Sequence, residues 1–173
     1  IFLGRNINQS NALQGNEGLI SVGIGSNVDS IPMQTFAGCP KFKRFVVEDG
    51  NEKYSTIDGV LTNKDKTTLV MYPFGGDTIY TVPKSIVNIG HSAFEYCYHL
   101  NTVTIPNTVK NIGEKAFYDC FYLKHISLPE SITEISNDMF GQCRELTTVA
   151  IPSSVVTIGE NAFSLCSKLT LLT

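Results

Sequence analysis

What the chain lacks narrows it first. No apolar run approaches the ~18 residues of a membrane-spanning helix, so no membrane insertion is expected of it. Positive charge is scarce and scattered: 13 Lys and Arg stand against 16 Asp and Glu, with net charge −3 and pI about 5.6. A chain without a basic stripe has no electrostatic footprint for a nucleic acid. There are 3 histidines, His91, His99 and His125. The last two are 26 positions apart (125−99) and could be neighbours, but without a carboxylate or thiolate beside them they make a poor metal site. Gly23-Ile24-Gly25-Ser26 has no Gly-Lys-Ser/Thr after it and is not a phosphate loop. Asp49-Gly50-Asn51-Glu52 lacks the alternating oxygen ligands of a calcium loop. Carboxylates form no pair at glycosidase separation, and Ser, Asp and His stand in no catalytic motif. The sequence reads as non-enzymatic, with no cofactor and no metal. No secretory leader opens the chain, and both ends read as cut from a longer protein.

What is present is a repeat. The stretch over residues 105–127 recurs with drift in frames starting at Val82, Ile105, Leu128 and Ile151, each step being 23 residues (105−82, 128−105, 151−128). Such a period marks a stacked solenoid of the leucine-rich kind. In the frame from Ile105 the apolar places are Ile105, Val109, Ile112, Ala116, Phe117, Cys120, Leu123 and Ile126. Leu123-x-x-Ile126-x-Leu128 alternates as a strand with one buried face should, and Pro129 suits its end. Val109 and Ile112 point inward from a short extended segment. Residues 114–120 cluster Ala116, Phe117 and Cys120, which predicts one or two turns of helix on the outer side. Stacking should bury Phe36, Phe94, Phe117, Phe140 and Phe163 in one column and Leu100, Leu123, Leu146 and Leu169 in another. Gly90, Gly113 and Gly159 align with Ser136 and Pro32. Proline cannot take a positive φ, so close backbone packing is the better reason for these glycines.

The 5 cysteines, Cys39, Cys97, Cys120, Cys143 and Cys166, occupy one place in successive repeats. They read as a ladder of buried, reduced thiols rather than a disulfide framework of varied spacing. Neighbouring rungs within disulfide reach leave a partial bridge open, and the odd count argues against full pairing. Serine at 120 would bury a hydroxyl without an assured partner.

The chain divides into a degenerate first repeat (1–23), a full repeat (24–46), an insertion (47–81) and four regular repeats (82–173). In the insertion, residues 53–57 and 60–62 flank Asp58-Gly59, a strong two-residue hairpin signal. Asn63-Lys64-Asp65-Lys66 is a polar turn, residues 67–72 and 79–82 are strand-like, and Pro73 and Gly75-Gly76-Asp77 break between them. The insertion reads as a β elaboration widening the stack, with a binding feature as the alternative.

Residues flanking the buried strand positions point out from the concave sheet. They form columns His99, Tyr122, Glu145, Lys168, then Asn101, Lys124, Thr147, Thr170, then Thr102, His125, Thr148, Leu171, then Thr104, Ser127, Ala150, Thr173. The loop before each strand adds Tyr96, Tyr98, Phe121 and Arg144. Tyr and Arg are favoured at binding hot spots, so the candidate partner-binding residues are Tyr98, His99, Phe121, Tyr122, Lys124, His125, Arg144 and Glu145.

The pattern Ile-Pro-x-x-Val-x-x-Ile-Gly-x-x-Ala-Phe-x-x-Cys-x-x-Leu-x-x-Val resembles the BspA-like leucine-rich repeat family, the treponemal-type class with 23-residue repeats. Residues 82–173 match throughout, residues 24–46 with drift, and residues 54–69 look like an insertion such proteins often carry. The echo Leu3-Gly4-Arg5-Asn6-Ile7 is similar to members from gut Bacteroides. The resemblance implies a right-handed α/β leucine-rich repeat solenoid, here of about six turns with a β-rich insertion. It also implies a bacterial, secreted or cell-surface protein that adheres to host matrix or another cell. The expected function is binding of a protein or glycan partner, as a monomer. The alternative is a structural spacer presenting another domain. A hydrolase would need a cleft with paired carboxylates or a His-activated nucleophile.

Overall fold

The structure, a computed structural model, describes residues 1–9 and 11–172. In chain order its elements are β1 (Phe2–Leu3), β2 (Ser21–Ile24), a 3-10 turn (Met33–Phe36), β3 (Arg44–Val47), β4 (Tyr54–Ile57), β5 (Val60–Asn63), β6 (Thr68–Met71), β7 (Ile79–Thr81), β8 (Asn88–Ile89), β9 (Thr102–Thr104), β10 (Asn111–Ile112), β11 (His125–Ser127), β12 (Glu134–Ile135), β13 (Thr148–Val149), β14 (Thr157–Ile158) and β15 (Leu171–Leu172). They build a leucine-rich β-solenoid of about 7 turns. The count of about six misses the end of the insertion, which already closes a turn: β7 pairs with β9 at Ile79↔Thr102, one period apart (102−79).

The repeat becomes two stacks of parallel strands. The Leu-x-x-Val strands form β1-β2-β3, then β7-β9-β11, then β13-β15, with Ile126 opposite Val103. The shorter Val-x-x-Ile strands form β6-β8-β10 and β12-β14, with Ile112 opposite Ile89 and Ile135 opposite Ile158. Register follows the period because a slip of one residue would turn every apolar side chain to solvent.

The helical turns predicted over 114–120 do not form, and the α/β expectation is corrected to an almost wholly β architecture; the one helix among the described residues is the 3-10 turn. The backbone shows why. Lys115, Phe117 and Asp119 donate their N–H groups to the next turn, at Asn137 O, Met139 O and Gly141 O. The alternate residues Ala116, Tyr118 and Cys120 donate locally, to Gly113 O, Lys115 O and Phe117 O. Half of the donors a helix would use therefore bridge turns instead. Alternation also forces left-handed backbone at Ser92, Lys115, Asp138 and Asn161 (φ 52 to 56) and at Tyr96, Asp119, Gln142 and Leu165 (φ 52 to 63). Gly15 and Gly38 (φ 71) hold the second of these places in the first turns, where no side chain opposes it.

The glycines expected to allow close packing do so. A Cβ on Gly113 would lie 2.6 Å from His91 N, and one on Gly159 2.6 Å from Asn137 N; neither glycine has positive φ.

Phe94, Phe117, Phe140 and Phe163 stack nearly parallel, with centroids 4.9, 5.6 and 5.4 Å apart. Phe36 stands outside this column, packed with Phe42 and Phe45 in a second core. The insertion separates the cores and supplies its own rung: Tyr72 lies 5.1 Å from Phe94 and Leu69 sits opposite Ile89.

All 5 cysteines are free, and only Cys166 in the last turn is partly exposed. Each thiol donates to a carbonyl of the preceding turn: Cys120 to Phe94 O at 3.1 Å, Cys143 to Phe117 O at 3.1 Å and Cys166 to Phe140 O at 3.0 Å. Cys39 meets Leu13 O at 3.2 Å and Cys97 meets Tyr72 O at 3.9 Å. A serine hydroxyl at 120 would inherit the Phe94 carbonyl, so the expectation that it would be orphaned does not hold.

The insertion is a hairpin, β4 antiparallel to β5, turning at Asp58 (φ 50) and Gly59 (φ 83), followed by β6 antiparallel to β5. Asn51, excluded as a calcium ligand, fastens it. Its Nδ2 donates to Gly25 O and Val28 O (both 2.8 Å), and its Oδ1 accepts from Lys53 N (2.8 Å) and Tyr54 N (2.7 Å).

Candidate binding surface

Strand alternation buries Val103, Ile126 and Val149 and turns their neighbours out. On this strand face Lys124 and His125 are exposed, and both donate their N–H groups to Asn101 O (2.9 and 3.2 Å). His125 stands opposite Thr102, not beside His99 as the spacing allowed. It edges a shallow groove of about 240 Å3 with Thr102, Thr104, Ser127, Thr148 and Ala150.

The loops entering the strands carry the aromatic residues. Tyr122 is 52% exposed and its ring meets Phe121 edge-on at 4.8 Å. The Arg144 guanidinium of the following turn lies 5.8 Å over Phe121. Glu145 N–H donates to Phe121 O (3.1 Å), and its carboxylate pairs with Lys168 at 2.8 Å. Tyr98, 38% exposed, donates to Asp119 Oδ2 at 3.4 Å and lies 6.1 Å from Tyr96. Partial burial, with the Asp119 carboxylate beside it, pushes the Tyr98 phenol up to about 12. Burial also raises Asp119, opposed by the Tyr98 hydroxyl and Arg144. Tyr98 is therefore a neutral donor to this carboxylate, while Arg144 acts on it through charge alone.

The structure thus gathers Tyr98, Phe121, Tyr122, Arg144 and Glu145 along one loop edge and sets Lys124 just before β11 and His125 at its start. His99 joins this edge only at Tyr98, lining with it an apolar well of about 140 Å3 that Pro40, Phe74 and Tyr96 complete. Asp119 was missed because its place between Phe117 and Cys120 read as helix. Phe74 was missed because the insertion follows no period. Among the described residues no three His, Cys, Asp or Glu are grouped to hold a metal ion, and no helix is long and apolar enough to cross a membrane.

The family model of the BspA type leucine rich repeat region matches residues 5–59 and 77–173 in 6 copies. Among solved structures, a leucine rich cell surface protein from Faecalibacterium prausnitzii superposes with TM-score 0.80 and 28% identity over 94% of this chain and 43% of its own. The pneumococcal vaccine antigen PcpA does so with TM-score 0.80 and 29% identity over 94% of this chain and 40% of its own. A leucine-rich repeat protein from Bacteroides capillosus gives TM-score 0.63 and 27% identity over 70% of this chain and 97% of its own. The chain spans less than half of the first two, and these genera do not narrow its source to Bacteroides. No curated protein matches it.

Proposed function

The chain belongs to the BspA-type leucine-rich repeat family, and on that premise we propose that it is a cell-surface or secreted binding module. Its partner is a protein of host matrix or another cell, or a glycan, met along the loop edge and strand face by a monomer. A cell-surface protein among its structural relatives supports the location. One observation carries the reading: Tyr98, half-buried Phe121 and exposed Arg144 stand in register on successive turns, with exposed Tyr122 beside Phe121. Solenoids bind through such recurring columns, and Tyr and Arg are favoured anchors. A spacer presenting another domain would carry a uniformly polar surface here instead.

The test is a binding panel of extracellular-matrix proteins and arrayed glycans. The reading expects one class to bind at micromolar or better affinity, and expects Tyr122→Ala to weaken it by ~2 kcal/mol or more. A chain that binds neither class would be a spacer.

A further inference from the structure

The Leu-x-x-Val strand series is interrupted inside the chain, between β3 and β7. These two edges are not equivalent. The hairpin covers β3, where Phe45 N–H donates to Gly59 O at 2.8 Å, and the loop after β6 covers the residues before it, where Gly75 N–H donates to Phe42 O at 2.8 Å. Among the described residues nothing equivalent covers β7, which ends its sheet. Val82 N–H donates to Thr104 O (3.0 Å), and Thr78 O accepts from Asn101 and Thr102 (2.7 and 3.1 Å). In a parallel ladder, alternate residues face alternate sides. Residues 78, 80 and 82 therefore serve β9, and Ile79 and Thr81 turn their N–H and C=O groups to the break. Among the described residues none of these four groups has a backbone partner. Natural edge strands are usually blunted by Lys, Pro or a bulge. Ile79-Tyr80-Thr81 has none of these, and Ile79 is 67% exposed.

A cleft of about 240 Å3 opens beside this edge, floored by Val60, Tyr72 and Tyr80 and rimmed by Lys43, Asp58 and Asp77. Two carboxylates against one ammonium favour a cation, and two tyrosines suit its aliphatic stem. We propose that the free edge of β7 takes an extended segment of a partner protein as an added strand, with a Lys or Arg side chain of that segment seated in the cleft. Main-chain bonds would supply affinity and the cleft would supply selectivity, as in other strand-addition complexes. This site is separate from the loop edge proposed above and does not depend on it.

The probe is a capped octapeptide, Ser-Val-Thr-Lys-Val-Thr-Val-Ser, titrated into the intact protein while amide hydrogen exchange is followed. Ile79 and Thr81 amides should exchange rapidly in the free protein and slow at least tenfold at saturation. The same peptide with Glu for Lys, or with alternate amides N-methylated, should bind at least tenfold more weakly. Asp58→Asn combined with Asp77→Asn should lose the preference for Lys over Glu, and Thr81→Pro should lose binding while melting normally. Several results would overturn the proposal: slow exchange at Ile79 and Thr81 in the free protein, no protection at millimolar peptide, equal binding of the N-methylated peptide, or protection confined to the Tyr98 and Tyr122 loops.

Discussion

Replacing Phe117 by alanine tests the stacked core where it is most regular. The ring is 0% exposed and lies between Phe94 at 4.9 Å (interplanar angle 13°) and Phe140 at 5.6 Å (11°). Removing a buried ring from a site closed on both sides costs ~3–5 kcal/mol, since the neighbouring turns are pinned by their own ladders and collapse little. Phe163 has one ring neighbour, at 5.4 Å, and is partly exposed, so Phe163→Ala should cost roughly half as much. Phe117→Leu keeps apolar volume but loses both stacks and should cost less than Phe117→Ala, at ~1–2 kcal/mol. The chain has no tryptophan, so urea unfolding is best followed by circular dichroism and tyrosine fluorescence. At ~2–4 °C per kcal/mol for a domain of this size, Phe117→Ala should lower Tm by ~6–20 °C. Equal losses at 117 and 163 would refute the stacking argument.

The buried thiols give a pH dependence. Burial holds Cys97, Cys120 and Cys143 well above the ordinary thiol range, and Cys166 is pushed up to about 11. The unfolded chain ionises near pH 9 while the fold keeps its protons, so stability is full below pH ~9 and lost as pH rises above it. Three buried thiols imply a fall of about 4 kcal/mol per pH unit, reduced by about a third in Cys120→Ala; a flat urea midpoint from pH 8 to 10 would contradict this. In the same experiments Cys120→Ser should cost only ~1 kcal/mol, since Phe94 O receives the hydroxyl, and thiol titration should find 5 groups only after unfolding without reductant. Asn51→Asp would turn a carboxylate toward Gly25 O and Val28 O in a site 1% exposed, and should cost ~3 kcal/mol or more; a loss under ~0.5 kcal/mol would deny Asn51 its role as a clamp.

Much of this was legible because the period constrains so many residues at once. Leu123-x-x-Ile126, the Asp58-Gly59 hairpin, the backbone contact at Gly113 and the thiol column all follow from alternation, turn chemistry and stacking. The outer segment was not legible. Ala116, Phe117 and Cys120 share a face in a helix and in the observed turns alike, and only the partners of Lys115 N–H and Phe117 N–H separate the two. Tyr72 joins the phenylalanine column from 22 positions before Phe94 (94−72), off the period, so no alignment of repeats could place it. On the surface, the aromatic and cationic residues were visible, but the Asp119 carboxylate that accepts from Tyr98 was hidden by the misread helix.

The most direct test of the binding account is an affinity comparison against whichever panel partner binds. Tyr122→Ala, Lys124→Ala and Arg144→Ala would be measured beside Lys110→Ala, Glu130→Ala and Glu160→Ala, exposed residues outside the loop and strand columns, with melting temperature recorded for each. The account predicts losses of ~1–2 kcal/mol or more in the first set, with unchanged melting, and none in the second. Normal binding by all three of the first set, with binding abolished by changes in residues 47–81, would place the site on the insertion and contradict it.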